Sequence, residues 1–264
     1  MKKYLYIVVA LLAFTQFSKA QTADFINSGH IVYERKSQMQ KSIQEFVNLH
    51  PYMKNQSAEI MGMYNNKYKP FQVTTYDLYF TPDKSFYSTQ EKQPDTHQEF
   101  DRMFDLPGQD NKVFTDYTTG KRLSTKAIFG NVLNIADSIE TIKWRITEET
   151  REIAGFDCRR ANGLIHDSVY VVAFYTTQIR PSMGPESFHG LPGMIMGLSL
   201  PYLHSTWFAT QVFPTVDPTK ITETQINKKN KTVNEKEFQS TIKTISNNMG
   251  GQDAGNYLIQ YLNF

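Results

Sequence analysis

Over much of its length the chain alternates polar and apolar positions at a period close to two. Residues 71–80 read FQVTTYDLYF, with Phe71, Val73, Tyr76 and Leu78 among Thr and Asp. That β-branched and aromatic richness predicts a strand. Pro82, Asp83 and Lys84 follow as a turn, since proline presets φ and donates nothing to a ladder. Ser85, Phe86, Tyr87 and Ser88 then return as a second strand. Residues 113–117 and 122–124 flank Thr118, Thr119, Gly120 and Lys121, a hairpin in which Gly120 supplies the positive φ of a tight reversal. Further strands are predicted over 31–34, 141–147, 159–165, 169–175, 194–200 and 206–213. Short strands punctuated by turn residues, without crossover helices between them, predict a mainly β, β-rich α+β fold on an antiparallel sheet.

A few short helices accompany that sheet. Residues 38–66 carry Ile43, Phe46, Val47 and Leu49, then Ile60, Met61, Met63 and Tyr64, with a break at His50-Pro51. Spacings of three and four on either side of a proline predict two short amphipathic helices. A terminal helix is expected over 253–263, with Asp253 as its cap and Tyr257, Leu258 and Tyr261 on one side. The polar, lysine-rich run KKNKTVNEK ends at Lys236, and residues 227–236 read as a solvated loop rather than a basic contact patch.

The start of the chain changes the picture of where it works. Lys2 and Lys3 precede an apolar run over 5–14, and Ser18, Lys19 and Ala20 form a small-x-small site before Gln21. These are the parts of a cleavable secretory signal. The run is shorter than the ~20 residues that span a bilayer, and with no Cys beside the site a lipid anchor is not expected. The organisation read from the sequence is therefore a signal over 1–20, a β-rich domain over 21–226, and a polar linker with a C-terminal helix over 227–264. Cleavage between Ala20 and Gln21 leaves a periplasmic or secreted protein. It also removes Lys2, Lys3 and Lys19 and no acid, so the formal charge of +2 becomes −1. No nucleic-acid partner follows from a basic excess that leaves with the signal.

Cys158 is the only cysteine, so an intrachain disulfide is impossible even in an oxidising compartment. It is a candidate thiol, but a small buried hydrophobe is the expected role. The chain holds 15 Tyr and 18 Phe. Such aromatic content suits half-buried strands, and equally a surface for apolar, peptide or glycan ligands.

His189, Gly190, Leu191, Pro192, Gly193, Met194 and Ile195 make the most distinctive string in the chain. It resembles the signature of the GLPGLI family of exported bacterial proteins, with Met194 in place of leucine. Trp144, then Ile153, Gly155, Cys158 and Ala161, are similar to that family's W…I-x-G-y-x-C-x-x-A pattern. Ala173, Phe174, Tyr175, Thr176, Ile179, Gly184, Pro185 and Phe188 follow in the family's order, and Lys236, Glu237 and Phe238 resemble its K-E-F element. The likeness is strong over 144–198 and weaker over 31–238. Phe174 stands where tryptophan is common, and the segment of Pro201, Tyr202, Leu203 and His204 is longer than usual. The resemblance implies an envelope protein of unassigned biochemistry, with an outer-membrane transporter or another envelope protein as partner. It also implies a curved, half-barrel or bowl-like sheet, similar to the N-terminal module of a peptide:N-glycosidase.

Gly184, Pro185, Gly190, Leu191, Pro192 and Gly193 form the candidate ligand-pocket turn. Such density of glycine and proline fits tight turns, the second a type II turn with Gly193 at positive φ and Leu191 presented inward. The structural role, pinning the register of the strand that follows, is favoured over a pocket. The string lacks the lysine and downstream helix of a phosphate loop.

Reaction chemistry is harder to find. There is no His-Glu-x-x-His, no Gly-x-Ser-x-Gly and no paired-cysteine spacing, so neither a catalytic residue, a metal site nor a cofactor is predicted. His166, Asp167, His189 and His204 are scattered, and Glu186, Asp167 and Asp116 have no spacing that pairs them. Three classes of function stand: a non-enzymatic binding or accessory module, which is favoured; a hydrolase-like enzyme acting on envelope peptides or glycans; and a metal-handling protein.

Overall fold

A computed structural model describes residues 25–49, 51–67, 69–90, 111–128, 131–165 and 169–248. The signal segment, His166, Asp167 and the helix expected over 253–263 lie outside the described residues.

Among the described residues, twelve strands form one open sheet. In chain order they are β1 (Gly29–Ser37), β2 (Gln72–Phe80), β3 (Lys84–Thr89), β4 (Lys112–Asp116), β5 (Lys121–Ile128), β6 (Asn131–Ser138), β7 (Lys143–Ile153), β8 (Phe156–Ile165), β9 (Val169–Thr176), β10 (Met194–Leu200), β11 (Ser205–Phe213) and β12 (Lys231–Val233). Their order across the sheet is β12-β6-β5-β4-β3-β2-β1-β11-β10-β9-β8-β7. Every pairing is antiparallel except β12 with β6. Chain neighbours pair within each half of the sheet, β1 joins the halves by pairing with both β2 and β11, and two steps leave the pattern: β7 does not pair with β6, and β12 pairs with β6 rather than with β11.

Strand alternation decides what faces inward. Ile31, Tyr33 and Arg35 share one face of β1 with Leu78 and Tyr76 of β2, and all five are buried. The sheet curls toward that face. In a flat sheet β3 and β11, three positions apart, would lie about 14 Å from each other. Yet the Trp207 indole donates a hydrogen bond to the Tyr87 hydroxyl at 3.1 Å. The Tyr33 hydroxyl likewise reaches over β11 to donate to the Ile195 carbonyl at 2.7 Å.

The inner face is closed from two sides. Helices α1 (Met39–Leu49), α2 (Pro51–Lys54) and α3 (Ser57–Lys67) follow β1. Met39, Ile43 and Val47 of α1 and Ile60, Met61 and Tyr64 of α3 join the main core. Pro51 opens α2, a position where its missing N–H costs nothing. Near the β12 edge, helix α4 (Glu235–Asn248) packs Phe238 and Ile242 against Ile135 and Val233. A capping box starts it: the Glu237 amide donates to Asn234 Oδ1 at 2.8 Å, and the Asn234 amide donates to Glu237 Oε2 at 3.3 Å. The run read from the sequence as a solvated loop thus supplies a strand and the start of a helix. None of the described helices is long and apolar enough to cross a membrane.

A smaller core lies on the outer face. There Phe86, with Tyr79, Phe114 and Leu123, is covered by Val216, Ile221 and Ile226 from the segment after β11.

Candidate functional site

The loop between β9 and β10, residues 177–193, fills the inside of the curled sheet like a plug. Ile179, Met183, Phe188 and Leu191 are its buried anchors. Backbone hydrogen bonds tie it to the strand that follows it: the Met194 amide donates to the Ile179 carbonyl at 3.0 Å and the Ile195 amide to Met183 at 2.7 Å. Ile26 bridges Ile179 from the other side.

Each residue of the candidate turn has a defined place in this plug. Gly184 backs onto Ile195, where a Cβ would come within 2.8 Å of the isoleucine Cβ. Pro185 begins a turn closed by the Phe188 amide donating to its carbonyl at 3.2 Å. The Gly190 amide donates to the Ser182 hydroxyl at 2.9 Å, and the preceding carbonyl, of His189, accepts from the Trp144 indole at 2.8 Å. Leu191 is buried, as its inward presentation required. The turn at Pro192 is tighter than type II, because the Gly193 amide donates to the Leu191 carbonyl at 2.7 Å, only two residues back. That is a γ-turn, whose central φ suits proline. Gly193 has φ 144°, and a Cβ there would lie 2.0 Å from the Thr176 carbonyl oxygen. Glycine is needed for contact, not only for conformation.

The tip of the plug carries a carboxylate into the interior. Glu186, at φ 56°, is 2% exposed. Its Oε2 accepts from Asn111 Nδ2 at 3.2 Å. Around it act the charges of Lys126, Arg35 and Arg122, which oppose a rise in its pKa caused chiefly by burial. Arg35 comes from β1, where its guanidinium lies 4.8 Å over the Trp207 ring. Arg122, Ser124 and Lys126 all occupy the buried face of β5. Arg122 Nη1 donates to the Ser187 hydroxyl at 3.0 Å, and Nη2 pairs with Glu235 Oε2 of α4 at 3.3 Å.

These charges act on one another in both senses, Glu186 favouring the Lys126 ammonium and Arg122 and Arg35 opposing it. Burial pushes the Lys126 ammonium down to about 8, with Glu186 opposing that shift. Burial, then the Glu186 charge, holds the Tyr87 hydroxyl well above its ordinary value. His189 is held below the usual imidazole value chiefly by burial, its ring edge-on to Tyr117 at 5.8 Å. Three buried polar atoms, Glu186 Oε1, Arg122 Nε and Ser124 Oγ, have no hydrogen-bond partner among the described residues. At the strand ends of β4, β5 and β6 a cavity of about 610 Å³ is lined by Lys121, Arg122, Asp137 and Glu223 among others. Phe114, Leu123 and Ala136 line it too, so this cavity opens on the outer face of the sheet, opposite the face on which Arg122 is buried.

The remaining sequence candidates lie apart. Cys158 is buried on β8, its thiol donating to the Phe156 carbonyl at 3.4 Å, and burial pushes it up to about 12. Arg159 turns away from it and pairs with Glu148 at 2.6 Å. Asp116 caps the β4–β5 turn by accepting from the Thr118 and Thr119 amides, on the sheet face opposite Arg122 by alternation. His204 pairs with Glu45 at 3.0 Å beside a second cavity of about 460 Å³. No group of three His, Cys, Asp or Glu that could hold a metal ion occurs among the described residues.

Sequence reasoning missed Arg35, Asn111, Arg122 and Lys126. The signal was present in β5, whose residues KRLSTKA put Arg122, Ser124 and Lys126 on one face and Leu123 and Thr125 on the other. Alternation identifies the two faces but not the inner one.

A family model described as a protein of unknown function (Porph_ging) matches residues 162–197, a stretch that contains the whole string from His189 to Ile195. No curated protein matches the chain in sequence. In fold it is similar to PNGF-II, solved in two crystal forms: 12% identity and a TM-score of 0.47 in one, 11% and 0.48 in the other. Each alignment covers 81% of this chain, which spans only 32% of the PNGF-II chain. It is also similar to an uncharacterized conserved protein from Thermus thermophilus, at 6% identity and a TM-score of 0.36, covering 86% of this chain and 99% of that one.

Proposed function

We propose that this chain is a GLPGLI-type exported envelope protein acting as a non-enzymatic binding or accessory module beside outer-membrane components. One observation carries the reading: the interior keeps Arg35, Arg122, Lys126 and Glu186 out of water together. A core built for stability alone avoids such a cluster, because desolvating charges costs several kcal/mol per ion and packed apolar residues of similar volume do as well or better. A binding site is a reason to keep it. The thiol of Cys158 is held protonated by burial, which supports a module that recognises rather than reacts.

The test has two parts. The processed protein, starting at Gln21, is expected in the periplasm or medium by N-terminal sequencing; a chain retaining residues 1–20 in the inner membrane would sink the export reading. Capture from envelope extracts with mass spectrometry is expected to return an outer-membrane protein or a bound small molecule reproducibly. An empty capture would count against the module.

A hydrolase-like enzyme acting on envelope peptides or glycans is the second reading, favoured by one observation. Lys126 is lowered to about 8 and Glu186 is raised, the kind of convergence toward neutrality that acid–base pairs show. Turnover of peptide or glycan substrates by the wild type, abolished in Glu186→Gln, would establish it over the first.

A further inference from the structure

The solvent side of α1 is ordered by side chains that reach it from two other elements. Lys41, Gln44, Glu45 and Asn48 stand at i, i+3, i+4 and i+7, on one face, opposite the buried Met39, Ile43 and Val47. A merely solvated face leaves long side chains free to turn, because fixing them costs rotamer entropy. Here they are tied. Gln44 Nε2 uses both its protons, donating to Asn48 Oδ1 at 3.1 Å and to the Ser57 hydroxyl of α3 at 2.8 Å. Gln40 Nε2 donates to Asn65 Oδ1 of α3 at 3.0 Å. Glu45 Oε2 pairs with His204 Nε2 at 3.0 Å. His204 is fixed in turn: it follows the turn Pro201–Leu203 at φ 49°, and its carbonyl accepts from the Gln38 amide at 2.9 Å.

These residues wall the cavity of about 460 Å³, with Lys41 and the buried Met61 completing its lining. That volume lies within the ~300–1,000 Å³ of small-ligand pockets. The bonds above leave capacity of both kinds: the carbonyl oxygens of Gln40 and Gln44 accept, while the Asn48 amide nitrogen and the Lys41 ammonium donate. Lys41 and Glu45 contribute one formal charge of each sign, so no net field selects an ion.

We infer that this cavity is a binding site for a neutral, hydroxyl-rich ligand, a saccharide, held by the carboxamides of Gln40, Gln44 and Asn48 and by Glu45, with Met61 against its C–H surface. Every sugar hydroxyl both donates and accepts, which suits such a lining; an anion finds only Lys41 there and a cation only Glu45. Planar polar groups held in place beforehand lower the ordering cost of binding. The site names a ligand class for the binding-module reading and rests on it, while using none of the buried charges.

Isothermal titration of the protein with N,N′-diacetylchitobiose, cellobiose and maltose tests the assignment, with glycine and sodium acetate as charged comparators. At least one disaccharide is expected to bind saturably at a single site, equally well between about 0.1 and 1 M sodium chloride, because no ion pair forms with it. Glycine and acetate are expected to give no binding. Gln44→Ala and Asn48→Ala should each weaken the disaccharide about 5- to 10-fold, and Gln44→Ala with Glu45→Ala should abolish binding. Asn48 is exposed, so Asn48→Ala should melt with the wild type, and its loss of binding is then not a loss of fold. Glu148→Ala on β7 should bind as the wild type does. No saturable binding of any of the three disaccharides, binding that every variant retains, or binding of glycine or acetate in their place overturns the site. Envelope capture is read separately. An outer-membrane protein captured without saccharide binding removes this site and leaves the module; saccharide binding with an empty capture keeps the site and counts against the outer-membrane association.

Discussion

Replacing Gly193 by alanine is the most demanding check on the plug. Two separate costs fall on that substitution. At φ 144° the backbone lies where L side chains are rarely found, a conformational cost of about 1–3 kcal/mol. The new Cβ would also sit 2.0 Å from the Thr176 carbonyl oxygen and 2.9 Å from its carbon. Those are backbone atoms of β9, directly paired with β10 through Thr176 and Met194, so neither can swing aside as a side chain would. Overpacking of that kind adds about 1–3 kcal/mol. The sum is about 2–6 kcal/mol. For a chain of this size each kcal/mol lowers the melting temperature by roughly 2–4 °C, so a loss of at least about 4 °C follows, on the same scaling. Gly120→Ala supplies the control, because Gly120 has φ 65° and open space around it. It carries the conformational cost alone, about 1–2 kcal/mol. Thermal melts by far-ultraviolet circular dichroism on both variants separate the two contributions. If Gly193→Ala melts with the wild type, or no lower than Gly120→Ala, the contact with β9 is not the constraint described and the reasoning fails.

Other expectations follow from the same geometry. Leu191→Ala removes a buried anchor of the plug and should cost about 2–5 kcal/mol, with partner capture declining only as far as the melting curve explains; unchanged melting with capture abolished would make Leu191 a contact residue. Cys158 should resist thiol reagents in the native protein and react on denaturation, since burial holds the thiol protonated up to about 12; rapid native labelling would contradict that. Lys126 has a folded value of about 8 against 10.5 for the free side chain, so between these values the unfolded chain holds more protons and stability rises with pH. Relative to Lys126→Met, the wild type should therefore gain about 3 kcal/mol across that window in denaturant melts; a flat or falling difference would show that the ammonium is not buried as described.

Much of the sheet was legible because its signals are local. The apolar positions of β2, the Gly120 reversal and the proline break before α2 each depend on residues a few positions apart. β6 was missed because residues 131–138, NVLNIADS, alternate only weakly. The start of α4 was missed in a lysine-rich run, although Asn234 and Glu237 spell a capping box and Phe238 and Ile242 follow at helical spacing.

The sequence by itself determined the mainly β class, most strand positions, the burial of Leu191 and the positive φ at Gly193, since period-two alternation and backbone sterics act between near neighbours. The tertiary structure alone decided which face of each strand turns inward, and so where the charges go. β5 shows why: its apolar Leu123 packs outward under Ile221 and Ile226, which lie about a hundred residues later in the chain. That distant cover leaves Arg122, Ser124 and Lys126 facing the interior, where Arg35 and Glu186 meet them from positions equally remote. No local pattern encodes such a meeting, because its energy exists only once the sheet has curled and the plug has entered it.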